Sequence, residues 1–148
     1  MKSNFKTFVG IDNGVTGSIG IITETAGSSL TAFIPTPIRK VRDYTKEVQH
    51  FNRIDWRMLV ENIPRDSIVL LERPMVNTKA FVATKSALRA LEATLIALEM
   101  LDISYLFIDS KEWQREFIAS SVIGHEAMKI ASMEIGVKLF PNHTNKIS

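Results

Sequence analysis

One run constrains this chain more than any other: Ser67-Ile68-Val69-Leu70-Leu71-Glu72, closed at once by Arg73-Pro74. A continuous apolar stretch of strand length fits a strand buried on both faces of a sheet. Such a strand needs neighbours beside it and helices over it, so the rest of the chain must supply both. Phe5 to Asp12 reads as a strand ending at Asp12-Asn13-Gly14. Ser18 to Thr23 reads as a second strand and Leu30 to Ile34 as a third, with turns at Gly14 to Gly17 and Ala26 to Ser29. Short connections make these three an antiparallel meander.

Helical periodicity appears three times. Residues 79–100 place Leu88, Leu91, Leu95 and Leu98 on one face, with Ala80, Ala83, Ala87, Ala90 and Ala97 allowing close approach to a sheet. Ile54 to Ile63 predicts a short helix, with Ile54, Met58, Leu59 and Ile63 at helical spacing and Pro64 ending it. Residues 125–139 predict a last amphipathic helix, with Ile130, Met133 and Val137 on its apolar face and Glu134 and Lys138 as an i,i+4 pair. Ser104 to Ile108 reads as a fifth strand, and Asp109 or Ser110 can cap a helix carrying Trp113. Pro35 and Pro37 stop the meander, and 36–53 reads as a polar loop. Its Arg39, Lys40, Arg42 and Lys46 stand against Asp43 and Glu47, as a solvated or a DNA-facing segment. The order is βββ-α-β-α-β-α(α). It predicts an α/β fold with a mixed five-stranded sheet, three antiparallel strands then parallel ones, and helices on both faces.

Bulk composition agrees and excludes several classes. The 148 residues suit a single domain, and 45% hydrophobic with 23% charged residues is globular composition. No cysteine is present, which removes disulfides, thiolate metal sites and a cysteine nucleophile, and fits a reducing cytoplasm. No secretory signal or membrane span is readable. The net charge of +2 permits a nucleic-acid partner without requiring one.

Two carboxylates carry the candidate chemistry. Asp12 ends the first strand and Glu72 ends the fourth. In an open α/β sheet, ligands collect beyond the strand ends. If the fourth strand lies beside the first and parallel to it, the two acids meet. Paired carboxylates repel, and a hard cation relieves that repulsion. Each acid alone has a plainer reading, as a turn cap or, for Glu72, as a partner of Arg73.

These same segments carry a family resemblance. GIDNGVTGSIGII, residues 10–22, resembles the first-strand signature of the RuvC-type Holliday junction resolvases, and IVLLERPM, 68–75, resembles their second motif. YLFIDSKEW, 105–113, resembles a segment of phage-type members, and AMKIASMEIGVKLFP, 127–141, the helix before the final motif. The resemblance, running from Phe8 to Pro141, implies a ribonuclease H-like fold. It implies a homodimeric endonuclease that hydrolyses phosphodiester bonds of four-way or otherwise branched DNA. It also implies two Mg²⁺ ions, with Mn²⁺ as a substitute, Asp12 bridging both and Glu72 holding one, and a bacterial or phage-infected cytoplasm.

Two departures accompany it. The family carries further acids on a last helix, and here no Asp or Glu follows Glu134, so the domain is expected to lack its final acidic helix. His143 is a candidate ligand there or a solvated residue. The helix after Glu72 carries Ser86, Ala87, Ala90 and Ala93 where the family tends to have glycine. Around the acids, Lys79, Lys85, Arg89 and Lys111 are candidate phosphate contacts, or else solvated helix faces, as is Arg115. Phe81 is a candidate base-stacking wedge or a core residue, while Trp113 reads as packing and His125 as a cap or surface residue. A non-catalytic junction-binding protein is the alternative function. The motif DNGVTG is also similar to the phosphate loop of actin-like ATPases and sugar kinases, but that fold needs a second related domain.

Overall fold

The structure, a computed structural model, describes residues 5–146. The elements in chain order are β1 (Lys6–Ile11), β2 (Ser18–Glu24), β3 (Ser29–Pro35), β4 (Ile38–Arg42), β5 (His50–Ile54), α1 (Trp56–Asn62), β6 (Ser67–Glu72), α2 (Phe81–Met100), β7 (Tyr105–Ile108), α3 (Ser110–Phe117), α4 (His125–Leu139) and a 3-10 segment, Pro141–Lys146. They form two compact units, one ending at Phe107 and one beginning at Ile108.

In the first unit the sheet order is β3-β2-β1-β6-β7, with three antiparallel strands followed by parallel ones. β1 pairs antiparallel with β2 and parallel with β6, with Val9 opposite Val69 and Ile11 opposite Leu71. α2 carries the chain from β6 to β7, the long connection that a parallel pair of strands needs. One face of the sheet is closed by Val9, Ile11, Ile19, Val69 and Leu71 against Leu59 of α1 and Ala90, Ala93, Ala97 and Leu98 of α2. The alanines are buried more deeply than Leu88, Leu91 and Leu95, because only a small side chain lets the α2 backbone come down onto the strands. Burial of β6 on both faces is not met within this unit. Its alternate residues Ile68 and Leu70 stay 50% and 42% exposed, since α1 and α2 cover the other side.

Residues 36–53 correct the loop expectation. Most of this segment is an antiparallel hairpin, β4–β5, forming a separate two-stranded sheet in which Ile38 faces Ile54 and Val41 faces Phe51. Its base is fixed by the buried Ile54 and by the Asp55 N–H, which donates to the Pro37 carbonyl at 2.8 Å. The helix expected over 54–63 is therefore shorter. Ile54 closes β5, Asp55 caps α1 by accepting from the Met58 N–H at 3.3 Å, and Met58 points outward.

In the second unit, Asp109 caps the start of α3, and its N–H donates to the Glu112 carboxylate at 2.8 Å. α4 spans the expected residues, but Ile130, Met133 and Val137 remain exposed. A segment of about 40 residues has too little partner surface to bury a helix face by itself.

Candidate functional site

β1 and β6 run side by side and in parallel toward the two acids. The last paired residues are Ile11 and Leu71; Asp12 follows directly on β1, and Glu72 is the final residue of β6. Neighbouring strands run about 4.8 Å apart, so side chains leaving this step on the same side are within common reach. Ile11 and Leu71 both enter the core, so strand alternation directs the next residue of each chain segment, Asp12 and Glu72, toward the opposite face. Glu72 is half-buried and engaged with neighbouring groups. Asp12 touches solvent, yet the protein strips enough water from it to push its carboxyl above the ordinary aspartate pKa.

The backbone under Asp12 is held on two sides. Toward β2, the Asp12 N–H donates to the Ser18 carbonyl at 3.0 Å, extending the ladder past the strand end. The turn that makes this possible closes on Gly17, where a Cβ would fall on the Asp12 carbonyl oxygen. Toward α2, the Asn13 amide donates through Nδ2 to the Ala87 carbonyl at 3.2 Å, while its Oδ1 lies 3.2 Å from the Thr94 hydroxyl. Sequence reasoning does not single out Asn13 or Thr94. The available signal is a threonine set between the alanines and leucines of the helix's apolar face, which is costly unless hydrogen-bonded.

Downstream of Glu72, residues 73–80 lead into α2. Here Asn77 and Thr84 grip each other: the Asn77 N–H donates to Thr84 Oγ1 at 3.0 Å, and that hydroxyl donates to the Asn77 carbonyl at 2.9 Å. The Lys79 N–H closes an Asx turn on Asn77 Oδ1 at 3.0 Å. This presents Lys79 and Phe81 to solvent, Phe81 with 69% of its surface exposed. Lys85 lies one turn on, with its ammonium 5.8 Å from the Phe81 ring centre. Along the helix axis Lys85 is about 3 Å from Ala87, the residue to which Asn13 bonds. The Arg73 guanidinium lies 4.6 Å from the Phe107 ring centre.

Arg89 points elsewhere. Its guanidinium stacks on Phe51 of β5 at 3.8 Å from the ring centre, with Tyr44 at 5.8 Å, so it ties the hairpin to α2. Lys111 and Arg115 lie on α3 and His143 in the 3-10 segment, all in the second unit; both basic side chains are exposed and His143 is half-buried. His125 is exposed beside Glu126, and Trp113 is half-buried. Among the described residues, no group of three or more histidine, aspartate or glutamate side chains gathers around a common point. No helix of the described residues is long and apolar enough to cross a membrane.

No protein-family model matches the sequence, and no curated protein matches it. Solved structures do. The chain is similar to Thermus thermophilus RuvC in complex with a Holliday junction substrate, with a TM-score of 0.51 and 13% identity over 88% of this chain and 79% of that one. A second structure of T. thermophilus RuvC matches with a TM-score of 0.50 and 13% identity, over 87% of this chain and 79% of that one. At this identity the likeness establishes the architecture: the chain has the ribonuclease H-like fold of RuvC.

Proposed function

We propose that this chain is a metal-dependent endonuclease domain that cuts four-way or otherwise branched DNA, acting as a homodimer in a bacterial or phage-infected cytoplasm. The observation that supports the reading is the register of β1 and β6, in which Ile11 pairs with Leu71, one residue before Asp12 and Glu72. A carboxylate pair at neighbouring strand ends is a ligand set for a hard cation, and Asp12, already partly stripped of water, gains most from one. Bound there, Mg²⁺ or Mn²⁺ would supply Lewis acidity to a phosphodiester and lower the pKa of a water. Asp12 and Glu72 would hold the cation, while Asn13 and the Gly17 turn keep the Asp12 backbone from shifting. Lys79 and Lys85 would steady phosphates beside the acids, with Lys111 as a further contact. Phe81 would stack on a base where strands diverge.

A junction-binding protein without catalysis is the second reading. It is favoured by the absence, among the described residues, of a third acid or histidine beside Asp12 and Glu72. One assay separates the two. A labelled four-way junction is incubated with the protein in Mg²⁺ and in Ca²⁺. Mg²⁺-dependent nicks that vanish in Asp12→Asn and Glu72→Gln, with binding intact, support the nuclease. Tight binding in both ions with no nicks supports the second reading.

A further inference from the structure

The β4–β5 hairpin holds the chain's positive charge. From Ile38 to Ile54 there are five Lys or Arg residues against two acids, a net +3 where the whole chain is +2. The placement is as informative as the count. Arg39 sits directly opposite Arg53 across the hairpin, and Lys40 opposite Asn52. Like charges facing each other across a strand pair destabilise it. Among the described residues, no ion pair relieves Arg39, Lys40, Arg42 or Arg53. Asp43, the nearest acid in the chain, is turned onto the Thr45 N–H and hydroxyl, each at 2.9 Å.

This arm is also held in position. Phe51 stacks under Arg89 of α2, Tyr44 packs edge-on against Phe51 at 5.2 Å, and Ile54 is buried at the base. Asp43 is held below the ordinary aspartate pKa chiefly by the Thr45 N–H and hydroxyl, with Lys85 and Arg89 adding smaller contributions. Charged residues on a two-stranded sheet also guard its open edges, but that role needs neither a single sign nor two opposed arginines.

We propose that the β4–β5 hairpin is an arm that grips the phosphate backbone of a duplex without reading its sequence, with Arg39 and Arg53 on one face of the ribbon and Lys40 and Arg42 on the other reaching the phosphates on either side of a groove. A two-stranded ribbon fits the dimensions of a B-form groove, and a polyanion offsets the repulsion between Arg39 and Arg53. The proposal rests on the branched-DNA reading and deepens it, assigning the grip on a duplex arm to a surface separate from the two acids.

The test compares the wild-type chain with the fourfold variant Arg39→Gln, Lys40→Gln, Arg42→Gln, Arg53→Gln. Binding is measured on a fluorescent random-sequence duplex of about 25 base pairs, its single strand and a four-way junction, across a salt titration. The variant is expected to bind duplex roughly 10- to 100-fold more weakly at about 0.15 M salt. Its plot of log affinity against log salt should be flatter by about 0.9 for each phosphate that the variant no longer neutralises. The free variant should melt no lower than wild type, because the opposed charges are gone. In the wild-type chain, amide exchange across residues 38–54 should slow when duplex is added. Unchanged affinity and salt slope in a folded variant, or no change in amide exchange, overturns the proposal and leaves the nuclease reading intact. Tighter binding to the single strand overturns the duplex assignment. Wild-type protein that binds duplex through the hairpin but never cuts a junction supports the arm and removes the nuclease. Absence of any DNA binding removes both.

Discussion

The Thr94 hydroxyl, 1% exposed inside α2, lies 3.2 Å from Oδ1 of Asn13, the residue next to Asp12. The same hydroxyl lies 3.0 Å from the Ala90 carbonyl of its own helix, so one proton is shared between an intrahelical acceptor and a distant turn. With the bond from Asn13 to Ala87, this bolts the end of β1 to the middle of α2. The candidate metal ligand thus stands on a turn whose position is set by a helix residue 81 positions beyond Asn13 in the chain.

Breaking that bolt should be measurable. Thr94→Val keeps the shape and removes the hydroxyl, leaving Asn13 Oδ1 without its donor, at a cost of about 1–2 kcal/mol. Asn13→Ala should cost a similar amount. Because the two share one bond, the double variant should cost less than the sum, with a coupling of roughly 0.5 kcal/mol or more. Urea denaturation of the four proteins gives the cycle. Strict additivity would show that the pair contributes nothing.

Asp12 should trade stability for ligand binding. Its folded pKa lies above the ordinary 3.8, through loss of water, so ionising it costs the folded state. Well below 3.8 the group is protonated in both states and has no effect. As pH rises past 3.8 stability falls, and above the folded pKa the loss is complete and constant. Asp12→Asn should therefore melt higher than wild type at neutral pH and level with it near pH 3. Added Mg²⁺ should raise the wild-type melting temperature and leave the variant's unchanged. An asparagine variant that is less stable at about pH 7, or that responds equally to Mg²⁺, would contradict this account.

The parts legible in the sequence were those dictated by local pattern. Glu72 at the end of an apolar strand and Asp12 at the end of another are strand-period signals, and the parallel pairing of those two strands is the one expected. The alanine-rich face of α2 announced close packing on the sheet. The hairpin was hidden because its strands do not alternate cleanly. Val41 and Ile38 are three apart, as are Phe51 and Ile54, and polar or charged residues fill the intervals. What holds it is a tertiary contact, the Phe51 ring on Arg89, which no window along the chain contains. The Asn13–Thr94 bond was hidden for the same reason.

Gly17 should prove irreplaceable for a steric reason. A Cβ there would meet the backbone carbonyls of Asp12 and Gly14, neither of which can move without breaking the turn. Gly17→Ala is expected to cost about 1–3 kcal/mol and to weaken Mg²⁺-induced stabilisation, since the Asp12 backbone must shift. Gly27, whose Cβ would meet nothing within 4 Å, is the control, and Gly27→Ala should leave both quantities near wild type. Equal melting temperatures for the two variants would refute the close-approach argument.

Arg89 should act on the hairpin rather than on the whole fold. Its guanidinium covers Phe51 at 3.8 Å, while its helix is independently anchored by Ala90, Ala93 and Ala97. Arg89→Met keeps an unbranched apolar stem and removes the cation, a loss of about 0.5–2 kcal/mol by comparison with other cation–π pairs. That loss should be local, because β4 and β5 form a sheet of their own, bonded to no strand of the larger one. Amides of residues 38–54 should exchange faster, and proteolysis should increase between Thr45 and Gln49, while β1 and β6 keep their protection. Uniform acceleration through β1 and β6 would mean that Arg89 supports the central core instead, and no acceleration anywhere would mean that the stack contributes nothing to holding the hairpin on α2.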